Sequence, residues 1–265
     1  MSSFFILSQT GENARENLTD SSSIFSYNPK ESDKFTLLLT ISKDDTDFPH
    51  AVFLINLNAS EKKVYVLRLP EVCLLSKKGE SKLILKECFQ KSGEGACAKA
   101  ISEFFSVEVS RYISFTDQSF ISFIDLFEPC ALDVTEDLSE VDRKNDVYIK
   151  IDRGSRLISG SLMLDIFAYT KWKGGVVEKF SRSADALSAF LSQNGLRLLD
   201  AQQFILSSSK TNLSALDFES YRDPISYLFS FSDVVRSVKV YGEYQFENTQ
   251  FVLSTNTSTK ISALF

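Results

Sequence analysis

One histidine, His50, serves a chain of 265 residues. A histidine-built metal centre is therefore excluded. The four cysteines (Cys73, Cys88, Cys97, Cys130) lack the CxxC spacing that would replace it. They read as buried free thiols, with a Cys88–Cys97 bridge open to them in an oxidising compartment. Long apolar runs are missing too. No window reaches the roughly 18 uncharged apolar residues that a membrane-crossing helix needs. Ser3–Leu7 is too short for the apolar core of a signal peptide and has no basic lead-in. The chain is thus expected to be cytosolic or a soluble piece of something longer. Positive charge is in deficit, 29 Lys and Arg against 35 Asp and Glu, a net −6. That balance argues against a general nucleic-acid binder, which presents a basic face.

What the chain has in excess is phenylalanine: 23, beside one Trp and two Met. Phenylalanine buries a large apolar area and brings no polar atom to satisfy, so the surplus suits an aromatic-rich core. It suits the lining of a long apolar ligand equally well, because pockets and cores use the same residues. Composition is otherwise ordinary, 43% hydrophobic and 24% charged. The length is enough for a substantial core in one large α/β domain or two small ones.

Residues 1–34 are polar and aperiodic and read as an arm or linker. From Phe35 the pattern changes. Phe35–Ile41, Ala51–Leu57 and Val64–Leu69 are short apolar runs of the kind buried strands show, the last two joined by a hairpin at 58–63 and ended by Pro70. Ser92–Gly95 predicts a turn, Ala96–Phe105 a helix, Val109–Phe115 a strand, and Asp117–Phe127 a helix that Asp117 caps. Helices are expected over Ser159–Thr170 and Arg182–Gln193, the latter stopped by Asn194-Gly195. Short helices follow at Ala215–Tyr221 and Pro224–Phe231, then strands near Val238–Tyr241 and Phe251–Thr255. Interleaved strands and helices without repeats predict one three-layer α/β domain over residues 35–265. Its mixed, partly antiparallel central sheet is flanked by helices.

Five segments carry a resemblance: Arg68-Leu-Pro-Glu-Val72 after the hairpin, Ile124-Asp125 before Glu128-Pro-Cys130, Arg153-Gly154, Leu157 to Gly160, and Lys210-Thr-Asn-Leu213. In order and spacing they resemble the LytR-CpsA-Psr family, bacterial envelope proteins that move glycopolymers from a polyprenyl pyrophosphate carrier onto cell wall. The resemblance runs from about Phe35 to the C-terminus. It implies a place at the extracellular face of the bacterial membrane, a polyprenyl-linked lipid and a cell-wall polymer as partners, and magnesium as cofactor.

Such a transfer needs positive charge on the diphosphate, from arginines or a divalent metal, and a carboxylate to hold the metal or orient the acceptor. The family's charged positions are mostly altered here. Its Arg and Asp before the second strand correspond to Phe48 and His50, and its Pro-Arg-Asp to Pro70-Glu71-Val72. Its Arg-x-Arg corresponds to Ala168-Tyr169-Thr170. Its last Arg pair is retained as Lys179 and Arg182. The candidate phosphate-binding residues are therefore Arg182, Lys179, Lys171 and Lys173. The two lysines of Lys171-Trp-Lys-Gly-Gly read first as a solvated basic loop, since surface charge is common and lysine gives no fork geometry. Strand parity turns Arg68 away from residue 71. Asp44, Asp45 and Asp47 offer a carboxylate set for a metal but read first as simply solvated, while Asp125 at a helix end has a structural role. Three functions are expected from this pattern. The first is an envelope domain that binds a polyprenyl (pyro)phosphate-type or other apolar ligand with catalysis weakened or lost. The second is an active phosphotransferase with a rearranged cationic site. The third is a non-catalytic scaffold.

Overall fold

In a computed structural model the described residues are 27–44, 46, 48–76, 81–143, 147–245 and 249–265. Residues 1–26 of the predicted arm, and Asp45 and Asp47 of the acidic loop, lie outside them. Strands β1 (Lys34–Ser42), β2 (Ala51–Asn58) and β3 (Lys63–Leu69) form an antiparallel meander with Leu38 opposite Leu54 and Leu54 opposite Leu67. Their continuous apolar runs reflect burial on both faces of the sheet. The β2–β3 turn is held by Asn58, whose side-chain oxygen accepts from Ser60 Oγ at 2.8 Å and Glu61 N at 3.1 Å.

Helix α1 (Leu85–Phe105) carries the chain across so that β4 (Val109–Thr116) lands parallel to β1. The expected Ser92–Gly95 turn is a break inside this helix, which starts at Leu85 rather than Ala96. Gly93 sits there at φ 73°, ψ −175°, a backbone that side chains disfavour. Cys88 and Cys97 lie on either side of it, both buried and both free thiols. Helix α2 (Asp117–Ile124) is capped by Thr116, not Asp117: Thr116 Oγ1 accepts from Ser119 N at 3.2 Å.

A nested hairpin follows, β5 (Ala131–Val134) paired with β8 (Gly154–Leu157) and β6 (Leu138–Asp142) with β7 (Val147–Ile151). Then come α3 (Gly160–Ala168), α4 (Gly175–Asn194), a 3-10 turn (Gly195–Ala201), α5 (Gln202–Ser208), β9 (Lys210–Thr211) and α6 (Ala215–Phe229). α6 runs through Pro224 where two helices were expected. The proline is buried in the core and removes one intrahelical bond without ending the helix. β10 (Val235–Ser237) pairs with β3 and precedes the expected strand at 238–241. β11 (Gly242–Gln245) and β12 (Gln250–Leu253) form a small separate ladder. The final helix α7 (Thr255–Leu264) cuts β12 short, because Ser254 Oγ caps it by accepting from Thr257 N at 3.2 Å.

The main sheet has the order β10-β3-β2-β1-β4-β9 and is mixed, as the sequence predicts. Strand alternation sends Leu39, Ile41, Phe53 and Ile55 into a layer under α2–α6. Leu38, Val52, Leu54 and Leu67 enter a second layer under α1 and α7. Three layers result. The first holds a chain of rings: Phe53–Phe167, Phe120–Phe167, Phe115–Phe123, Phe123–Phe127 and Phe127–Phe190, with centroids 5.0–5.9 Å apart. Asp125 is structural here, its Oδ1 accepting from Gly160 N at 2.8 Å and tying α2 to α3.

Candidate functional site

The carboxyl ends of β1, β3 and β4 lie at one edge of the sheet, the edge at which open α/β sheets hold their ligands. Arg68, the next-to-last residue of β3, is fully buried there. Its Nη1 donates to Phe167 O at 2.8 Å and Ser183 Oγ at 2.7 Å; its Nη2 donates to His50 O at 2.8 Å and Glu71 Oε1 at 2.5 Å. The guanidinium lies 5.8–5.9 Å from the ring centroids of Phe53, Phe167 and Phe180. The Arg68–Glu71 pair overturns the expectation that Arg68 points away from Glu71. Parity applies only inside a strand, and β3 ends at Leu69; Pro70 starts a turn that swings Glu71 back.

Three further acids stand close by. Glu140, on β6, is buried and accepts from Thr170 N at 2.8 Å and Thr170 Oγ1 at 2.5 Å. Thr170 occupies one of the positions at which the sequence resemblance placed an arginine. Glu178 accepts from Gly174 N at 2.6 Å and from Arg182 Nε at 3.2 Å. Its pKa is held below the ordinary value by that backbone bond first and by Arg182 next. Asp117 Oδ1 lies 2.6 Å from His50 Nε2.

The four predicted phosphate-binding residues do not converge. Lys179, on α4, is half-buried beside the Arg68–Glu71 pair; burial first, and Arg68 second, push its pKa below the usual lysine value. Arg182, one turn later, is taken up by Glu178 and by the face of Trp172, 5.8 Å from the ring centroid. Lys173 is paired with Glu136 at 3.0 Å on the surface. Lys171 is exposed and has no ion-pair partner among the described residues. Arg68, Arg182 and Lys173 are therefore each ion-paired, to Glu71, Glu178 and Glu136, while Lys179 lies in the fields of Glu71 and Glu140 with no ion pair among the described residues. Strand parity set Arg68 aside; the proline two positions later is the signal that its partner leaves the strand.

Under the same sheet face is an apolar cavity of about 120 Å³, lined by β1–β4, α4, α5, α6 and the 3-10 turn. Its inner wall, which includes Leu39, Phe115, Phe123, Leu187 and Phe190, is buried. Its half-exposed lining residues are Phe35, Leu37, Leu198, Leu199, Leu213, Asp217, Tyr221 and Ile225. Neither Lys179 nor Arg182 borders it. Between it and the Arg68 cluster stand Phe53, Phe120 and Phe167, all fully buried. No group of three or more His, Cys, Asp or Glu among the described residues is arranged to hold a metal, and no described helix is long and apolar enough to cross a membrane.

No protein-family model matches the sequence, and no curated protein matches it. Solved structures do. A Eubacterium siraeum protein described as a transcription regulator superposes with a TM-score of 0.81 at 19% identity, over 99% of this chain and 98% of that one. TagV of B. subtilis gives 0.68 at 16%, over 87% and 94%. TagT bound to LIIa-WTA gives 0.68 at 16%, over 91% and 92%. Such identities establish a common fold.

Proposed function

Starting from the LytR-CpsA-Psr fold, we propose that this chain is a divergent cell-envelope domain that binds an apolar ligand and has lost glycopolymer transfer. The observation that carries the loss is the charge balance at the carboxyl edge. A diphosphate brings at least two negative charges and needs unpaired cations to meet them. Here Arg68, Arg182 and Lys173 are already ion-paired with glutamates, and Arg68 has spent its fork on carbonyls, a hydroxyl and Glu71. For these three, binding a diphosphate means first displacing a glutamate, which offsets the gain. Each missing donor is worth on the order of a few kcal/mol of transition-state stabilisation.

The cavity supports the binding half. An apolar void left vacant forgoes packing contacts that an apolar occupant restores. Apolar cavities of this size stay dry and accept small apolar groups. TagT is known bound to LIIa-WTA, so a lipid-linked envelope polymer is the natural relative of such a ligand. The domain works outside the bacterial membrane in this reading.

The test is transfer itself. Purified protein with magnesium and a polyprenyl-pyrophosphate-linked glycan is expected to yield no glycan on peptidoglycan above a protein-free control, and Arg182→Ala to change nothing. Turnover that disappears in Arg182→Ala establishes the alternative, an active phosphotransferase with its cations moved to Lys171, Lys173, Lys179 and Arg182.

A further inference from the structure

The cavity has its half-exposed side at the end of the sheet away from the Arg68 cluster. Phe35 and Leu37 belong to the first half of β1, and Asp217 and Tyr221 to the first half of α6. The polar groups at this mouth are few, and their valences can be counted. Asp217 accepts from Arg111 Nε at 3.0 Å and Nη2 at 2.6 Å through Oδ1, and from Ser214 N at 2.8 Å and Oγ at 2.7 Å through Oδ2. Both its oxygens are filled. Arg111 Nη1 gives one proton to Ser110 O at 3.1 Å, which leaves one N–H on each terminal nitrogen. The Tyr221 ring lies 4.0 Å from that of Phe35, and its hydroxyl has no hydrogen-bond partner among the described residues. The free valences of these three side chains are thus the spare N–H groups of Arg111 and the Tyr221 hydroxyl, which donates or accepts.

Its charge selects further. Arg111 is cancelled by Asp217, and Glu108, exposed nearby, leaves an excess of one negative charge that also acts on the Tyr221 hydroxyl. Burial and these carboxylates keep that phenol protonated, with its pKa above the ordinary tyrosine value. An anionic head group meets net repulsion here. An uncharged oxygen meets Tyr221 O–H and the spare N–H groups of Arg111.

We propose that the cavity takes an uncharged amphiphile through the Arg111–Tyr221 mouth, its hydrocarbon tail inside and an alcohol or ester oxygen on Tyr221 and Arg111. This rests on the apolar-ligand reading above and gives that ligand a head-group class and a direction. It also places the head away from Lys179 and Arg182, because Phe53, Phe120 and Phe167 close the other route.

Displacement of N-phenyl-1-naphthylamine from the full chain by decanol, decanoate and decyl phosphate tests it. Decanol is expected to displace the dye at a concentration about tenfold lower than either anion. Tyr221→Phe, which keeps the ring, is expected to weaken decanol about tenfold, the value of one well-made hydrogen bond, and Lys179→Ala to leave it unchanged. Preference for decyl phosphate, or loss of decanol binding in Lys179→Ala, overturns the assigned head group and mouth while leaving an apolar ligand in place. Indifference of decanol to Tyr221→Phe overturns the Tyr221 contact in the same way. Absence of dye binding in the wild type, or binding that survives Leu187→Trp inside the cavity, removes the apolar-ligand reading and this inference with it.

Discussion

Arg68, fully buried, and Lys179, half-buried, both feel the field of Glu71, and they are not equivalent. Arg68 makes four hydrogen bonds and lies among three rings, so its charge is solvated by the protein. Lys179 has Arg68 as an unfavourable neighbour and is favoured only by the fields of Glu71 and Glu140. Burying it charged costs free energy, which its lowered pKa expresses. Between that lowered pKa and the ordinary 10.5, the unfolded chain binds more protons than the folded one, so stability rises with pH across this window. Lys179→Met is expected to raise stability at neutral pH by about 1 kcal/mol, discounted for its partial exposure, and to abolish the alkaline rise. Urea unfolding at pH 7 and at pH 10 reads both. A variant less stable than wild type at pH 7 would show that Lys179 is held by its partners rather than tolerated.

At the level of elements, the junction of α4 with the 3-10 turn shows how a local rule can be right for another reason. Asn194-Gly195 predicts a helix stop, and α4 does end at Asn194. Yet Gly195 has φ −55°, an ordinary right-handed value, and does not supply a left-handed cap. Its glycine is required by packing: a Cβ there would lie 2.1 Å from Phe229 Cδ1, against the end of α6. Gly195→Ala, neutral or mildly stabilising in a free helix, is expected to cost about 1–3 kcal/mol here through overpacking. A fall in the urea midpoint with an unchanged slope checks it, and an unchanged midpoint contradicts the contact.

For the whole molecule, the sheet is shared property. Leu54 and Ile55 are neighbours on β2 and enter opposite layers, Leu54 under α1 and α7, Ile55 beside the cavity under α4–α6. Any loss in one layer is transmitted through the strand to the other. Leu54→Ala is expected to cost about 2–5 kcal/mol, and Ile55→Ala less, since the wall it leaves already borders empty space. Both are expected to move a single transition seen alike by far-ultraviolet and aromatic circular dichroism. Separate transitions for the two signals would show that the layers melt independently.

The sequence by itself determined the three strands of the meander, β4 and the mixed three-layer class. These are local matters: runs of apolar side chains and Pro70 as a strand end. The tertiary structure alone decided the rest. α1 begins before its turn because Gly93 bends it within one layer, and α6 runs through Pro224 because the core holds it. Arg68 meets Glu71 because Glu71 lies beyond the end of β3, where strand parity no longer holds. Whether Phe in excess means core or pocket depends on how rings from β2, α2, α3 and α4 meet, a distance relation that no local pattern encodes. They meet as both: a sealed wall beside Arg68, and a void open toward Tyr221.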